Sequence, residues 1–212
     1  MLSLLQSAPA TFALVAGALL YSLALHELAH AWTADKMGDK TARNLGRITL
    51  NPLRHLDPVG TAMLFLVGFG WARPVPIQPG NFRHYRVGML VVSLAGVIVN
   101  LLLALAALGA LAGLGVTLGT LSQALARDPL RAGLFFMAQI NIVLATFNLL
   151  PVPPLDGSKA LQALLPRGMQ RALWGLERYG FLLVVILLVG FREQVFGLIN
   201  GVTLALLRLV LA

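Results

Sequence analysis

Two histidines and a glutamate stand within five residues, His26-Glu27-Leu28-Ala29-His30, inside a run otherwise rich in Leu, Ala and Val. Residues four apart on a helix share a face, so both imidazoles can reach one cation. Glu27 stands about 100° round the helix from His26, near enough to serve a water molecule beside that cation. Zinc would lower the pKa of such a water from about 15.7 to about 7, making hydroxide accessible at neutral pH. The carboxylate then has work as a general base, and afterwards as an acid towards a leaving amine. Ionisable groups within an apolar span cost about 3 kcal/mol each, which marks the cluster as functional rather than incidental.

Two histidines leave a catalytic zinc one protein ligand short of three. The candidates for the third are Asp156 in PVPPLDG and, in the basic loop NPLRHLDP, His55 and Asp57. Which can reach depends on the elements that carry them. The chain of 212 residues is 58% hydrophobic and only 11% charged, with a mean hydropathy of +0.83. That excludes an ordinary water-soluble globule. It has no cysteine, so disulfides and thiolate metal sites are excluded. The formal charge of +8 lies between apolar runs rather than in a polar domain, so it reads as membrane-flanking loops and no nucleic-acid partner is expected.

Apolar spans are expected at residues 9–32, 87–113, 132–150, 179–190 with flanks, and 196–212. The first ten residues carry no Lys or Arg, so the first run is expected to be a retained span rather than a signal peptide. Residues 158–171 read as a short amphipathic piece, and Ile48-Thr49-Leu50 has strand character ended by Asn51-Pro52. The segment 60–71 reaches only about 18 Å as a helix, against a hydrocarbon core of about 30 Å, and is expected to be re-entrant or interfacial. The fold expected is therefore an all-α polytopic membrane protein of about five transmembrane helices. A short re-entrant or β segment should lie between the first and second. It forms a single domain, 1–212, with a core of about 10–165 and accessory helices at about 172–212.

With one full span, 87–113, between them, the spans ending at the histidines and at Leu150 run parallel, so Asp156 meets the histidines at one depth. That favours Asp156 over His55. The same choice places eight basic residues of loop 36–86 and four of loop 159–178 on one side, with Arg208; Arg127, Arg131 and Arg192 lie opposite. The basic side is expected to be cytoplasmic, with the N-terminus outside and the C-terminus inside.

The stretches HELAHAWTADKMGD, GRITLNPLRHLDPVG, GFGWARPVPIQPGNFR and FNLLPVPPLDG together resemble the site-2 protease family of intramembrane zinc metalloproteases. The likeness runs from about residue 10 to 180 and is nearest to small bacterial members made of little more than a catalytic core. It implies one zinc ion per chain held by His26, His30 and Asp156, with Glu27 as catalytic base. Asn148 matches an asparagine associated in the family with stabilising substrate or the developing oxyanion; a hydrogen bond between helices is the alternative. Asn51 and His55 match positions of structural or gating kind, Gly157 suits a close turn after Asp156, and His84 belongs to an interfacial loop. Where relatives read A-G-P, this chain has Ala95-Gly96-Val97, which should leave the central span straighter. No inserted PDZ domain or CBS pair is expected.

The resemblance implies hydrolysis of peptide bonds within or beside the transmembrane helix of single-pass membrane proteins, with the bilayer as the other partner. The site should face the cytoplasmic side of the cytoplasmic membrane. A substrate helix must unwind first, and segment 47–50 or 73–77 offers an edge to hold it. Two rivals are a non-catalytic metal-binding scaffold, for which Glu27 would be superfluous, and an ion transporter, for which paired broken helices are missing.

Overall fold

The computed structural model describes residues 9–67 and 70–212. Ten α-helices are found among them, and four are long and apolar enough to cross a membrane: α1 (Pro9–Met37), α4 (Tyr85–Gly113), α6 (Pro129–Asn148) and α10 (Arg192–Leu211). Between them lie α2 (Thr41–Asn44), α3 (Pro58–Val67), α5 (Leu121–Arg127), α7 (Asp156–Leu164), α8 (Arg167–Glu177) and α9 (Gly180–Gly190). From Gly168 to Gly190, α8 and α9 are bent by 80° at Arg178-Tyr179, so the count of spans is four, or five if that pair is taken as one.

The expected parallel course of α1 and α6 is met at three levels. Leu14 packs where a side chain on Gly133 would be, Asn141 donates to Ser22 at 2.7 Å, and His30 and Asp156 meet at 3.1 Å. Between them α4 runs the other way, and its buried residues include Gly88, Ser93, Gly96, Asn100 and Ala104. The matching face of α1 is small as well, with Ala18, Ser22, Ala24, Ala31 and Ala34 buried. Small residues let helix backbones approach closely where no hydrophobic drive from water assists.

At its end α1 is fastened by charge: buried Asp35 accepts two hydrogen bonds of 2.7 Å from Arg43. Asp39 then ties the following loop to the strap 73–81. It accepts from Thr41, from the Gln78 amide at 2.7 Å and from Asn81 at 2.9 Å. Burial works to raise the Asp39 pKa, but these hydrogen bonds outweigh it and hold the carboxyl below its ordinary value.

Two expectations are corrected. Residues 48–50 form no strand, and among the described residues the one β contact is an isolated bridge between Leu56 and Ala72. The carbonyl of Thr49 is turned to His55 at 3.0 Å, and Asn51 caps the 3₁₀ turn Pro52–Arg54, so the chain curls before it can pair. That bridge, with the Arg73 amide donating to His55 at 2.8 Å, brings both ends of segment 57–71 together round the ten-residue α3. Residues 68 and 69 of that segment lie outside the described residues.

The second correction concerns the C-terminus. Leu211 accepts from the Leu118 amide at 2.9 Å and is buried with Leu108, Leu111 and Val116, at the far end of α4 from the histidines. The C-terminus therefore sits at the end opposite the histidines, with Arg208 near it, and α10 begins about 30 Å away towards the histidine end.

Candidate functional site

His26 and His30 leave α1 on the face that meets α4, one helical turn apart. Each has its Nδ1 engaged by α4: His26 with the Asn100 side-chain oxygen at 2.6 Å, His30 with the Val92 carbonyl at 2.7 Å. Both partners are acceptors, so both Nδ1 atoms carry the proton and both Nε2 atoms present a lone pair. From the start of α7, Asp156 brings its Oδ2 to the same point. The three atoms form a triangle with every side 3.1 Å. All three residues are buried. A tetrahedral ion with bonds of about 2.0–2.1 Å requires neighbouring ligand atoms about 3.3 Å apart, so the donor set fits zinc in number, type and spacing. Three converging lone pairs with no proton between them are also poorly placed unless a cation joins them.

Local sequence makes the convergence possible. A Cβ on Gly96 would lie 2.5 Å from His26 Cε1 and 2.5 Å from His30 Nε2, so α4 can pass behind the rings only as glycine. A Cβ on Gly157 would meet the Leu149 carbonyl at 2.1 Å, so glycine lets α7 turn back on the end of α6 and deliver Asp156. Lys159, one turn on, reaches Asp156 at 3.6 Å.

Beside the triangle, Glu27 accepts the Val75 amide on Oε2 at 2.9 Å, which docks the extended strap 73–77 against α1. Arg47 reinforces the strap by donating to the carbonyls of Arg73 at 2.6 Å and Pro74 at 3.2 Å. Pro74 and Pro76 have no N–H and that of Val75 is taken, so the strap offers few ladder donors for edge pairing.

The remaining sequence candidates sit elsewhere. His55 is buried but bonded to Thr49, and Asp57 accepts the Gly60 amide at 2.8 Å at the head of α3. His84 is an exposed residue at the start of α4, and Asn51 serves its turn. Asn148 donates to the Leu144 carbonyl at 3.0 Å, one turn back in α6, which uses one of its two amide hydrogens.

Four residues given no role in the sequence reading complete the surroundings. Behind Asn100, its Nδ2 donates to Asn141 at 2.7 Å, and Asn141 donates to Ser22 at 2.7 Å. Ser22, Asn100 and Asn141 have no exposed surface. Gly96 is the fourth. The signal was present: Ser22, His26 and His30 recur at four-residue spacing, as do Gly96 and Asn100, and polar side chains in apolar runs require partners.

Among known proteins, the profile of peptidase family M50 matches residues 114–189, a stretch that includes Asp156. YwhC of Bacillus subtilis is 43% identical over 178 residues, covering 81% of this chain and 78% of that protein. The chain belongs to family M50, the site-2 proteases. Rip2 of Mycolicibacterium smegmatis is 35% identical over 193 residues, covering 84% of this chain and 67% of the relative. Rip2 of Mycobacterium tuberculosis is 34% identical over 198 residues, covering 89% and 72%. These relatives carry the name "Putative zinc metalloprotease". No solved structure matches the chain. As an M50 peptidase with four or five helices of spanning length, the protein is a multi-pass membrane protein. In this M50 chain Val97 lies in the unbroken helix Tyr85–Gly113, in keeping with the missing proline.

Proposed function

We propose that the protein is a zinc-dependent intramembrane endopeptidase that cleaves single-pass membrane proteins within or beside their spanning helix. One observation carries the reading: two histidine nitrogens and one carboxylate oxygen converge at 3.1 Å among helices of spanning length, with a second carboxylate beside them. His26, His30 and Asp156 would hold the ion. Bound there, zinc supplies Lewis acidity, lowering the pKa of water and polarising the scissile carbonyl. Glu27, anchored through Oε2, keeps Oε1 for the proton of the attacking water and returns that proton to the leaving amine. Asn148, with its second amide hydrogen, would serve as donor to the developing oxyanion, the role implied by the family resemblance.

The site is assigned to the cytoplasmic face of the cytoplasmic membrane. With the C-terminus at the far end, Arg192 joins the histidine end and Arg208 leaves it, so thirteen of the sixteen Lys and Arg still cluster at the ligand-bearing end. That imbalance supports a cytoplasmic assignment.

Zinc content tests the ligand set without a known substrate. About one zinc per chain is expected in the detergent-purified wild type. It should be lost in His26→Ala and in Asp156→Ala and kept in His55→Ala. Zinc that survives Asp156→Ala and vanishes with His55→Ala would overturn the assignment. Glu27→Gln should keep the metal and abolish proteolysis, and retained proteolysis would remove Glu27 from its role.

A further inference from the structure

Three arginines, Arg47, Arg54 and Arg73, line a cavity of about 620 Å³ at the histidine end of the bundle. Leu45, Leu53, Pro74 and Pro76 complete its lining. No carboxylate lines it, and among the described residues no ion pair joins any of the three to an acid. Glu27 attracts Arg47 without hydrogen bonding to it, being committed to Val75. Arg47 is itself buried, with only 7% of its surface exposed, and its Nε lacks a partner. Burial pushes the Arg47 guanidinium down from its ordinary value, and Arg73 and Arg54 add repulsion. Three like charges gathered round an open space, one of them buried with an unpartnered Nε, repel one another and favour an anion that bridges them.

We propose that this cavity binds the phosphate-bearing headgroup of an anionic lipid from the leaflet at the histidine end. Phosphate is favoured over a substrate carboxylate by size and number. One carboxylate is matched by a single guanidinium fork, whereas a phosphodiester offers oxygens to several, and the cavity has room for a glycerol beyond it. The apolar neighbours point to a lipid rather than a free ion. Leu53 is 73% exposed and Leu45 58% exposed, and both line the cavity with the arginines. Such side chains fit acyl chains below a headgroup, and basic pockets at the cytoplasmic face of spanning helices select anionic lipids on this basis. The site is separate from the metal ligands and does not depend on them.

The test is native mass spectrometry of the full chain in non-ionic detergent, titrated with phosphatidylglycerol or phosphatidylcholine. Arg54→Gln/Arg73→Gln is the variant, since both side chains are exposed while Arg47 braces the strap. Arg83→Gln/Arg86→Gln, outside the cavity, is the control. Wild type should retain one phosphatidylglycerol at least about tenfold more tightly than phosphatidylcholine. The cavity variant should lose about tenfold in that affinity and the control under about twofold. An unchanged unfolding temperature in detergent certifies the fold of each variant. Glycerophosphate and inorganic phosphate are the competing arms. Weak competition by either supports the lipid as ligand, whereas tight binding of inorganic phosphate that phosphatidylglycerol cannot displace would make it a soluble-anion site and overturn the proposal. Equal retention of both lipids, equal retention by wild type and cavity variant, or displacement of lipid by a soluble acidic peptide would also overturn it.

Discussion

Replacing Gly96 by alanine should separate metal binding from folding, because the three atoms nearest the added carbon all belong to the imidazoles. It would stand 2.5 Å from His26 Cε1, 2.5 Å from His30 Nε2 and 2.6 Å from His26 Nδ1. Ordinary contact begins near 3.4 Å, so each ring must retreat by about 0.9 Å, against a tolerance of about 0.2 Å for a metal bond. The rings cannot simply swing aside, since their Nδ1 atoms are bonded to Asn100 and Val92 on the same helix. Overpacking costs about 1–3 kcal/mol, while exchanging glycine for alanine in mid-helix returns about 1 kcal/mol. Net stability of the metal-free chain should therefore fall by no more than about 2 kcal/mol. Zinc affinity should fall by at least about a hundredfold, beyond what a lost supporting hydrogen bond costs. Gly109→Ala, with nothing within 4 Å of the new carbon, is the matched control in the same helix and should leave zinc unaffected. Zinc per chain, zinc competition with a chromophoric chelator and thermal unfolding in detergent read the three quantities. Gly96→Ala with wild-type zinc affinity would refute the placement of the rings against α4, and with it the site.

Four further outcomes are expected. Asn100→Ala should weaken zinc about 10–100-fold by freeing the His26 tautomer, and Asn141→Leu should do so by a smaller factor, both read by metal competition. Gly157→Ala, whose carbon would meet the Leu149 carbonyl at 2.1 Å, should lower both the unfolding temperature and zinc content, because the turn carries Asp156. Asp39 has a depressed carboxyl, so its stabilising effect is complete above about pH 4 and fades as the pH falls further. The unfolding-temperature gap between wild type and Asp39→Asn should accordingly narrow between pH 7 and pH 3. Chelation of the metal should lower the unfolding temperature, since zinc held at a thousand times its Kd contributes about 4 kcal/mol; no change would mean that the chain folds without regard to the ion.

The spanning helices were legible because lipid imposes length and apolarity on them, and the observed ends fall within about five residues of those expected. The convergence of His26, His30 and Asp156 was legible for a related reason: each is expensive near lipid unless it has a partner. Strand character at Ile48–Leu50 misled, because β-branched residues favour extended backbone only where a neighbour exists to pair with, and Thr49 is bonded to His55 instead. The course of α10 was hidden since nothing in residues 179–191 reveals an 80° bend, and an apolar run reads alike whether it crosses or lies along the surface.

The polar chain through the core explains how a bundle of small residues keeps the candidate metal site in register. Alanine and glycine faces let α1 and α4 close up, but they slide and rotate easily because they present so little relief. The links Ser22–Asn141, Asn141–Asn100 and Asn100–His26 join α1, α6 and α4 in turn, each between buried groups with no water to replace them. Rotating any one helix by a single residue, about 100°, would break at least two of these links and leave their groups unsatisfied in an apolar medium. Rotating α1 or α6 in this way would also separate His26 from Asp156. Register and ligand geometry are therefore set by one hydrogen-bonded chain, so a substitution at Ser22, one turn from His26, or at Asn141 should be felt as lost zinc affinity before it is felt as lost helix.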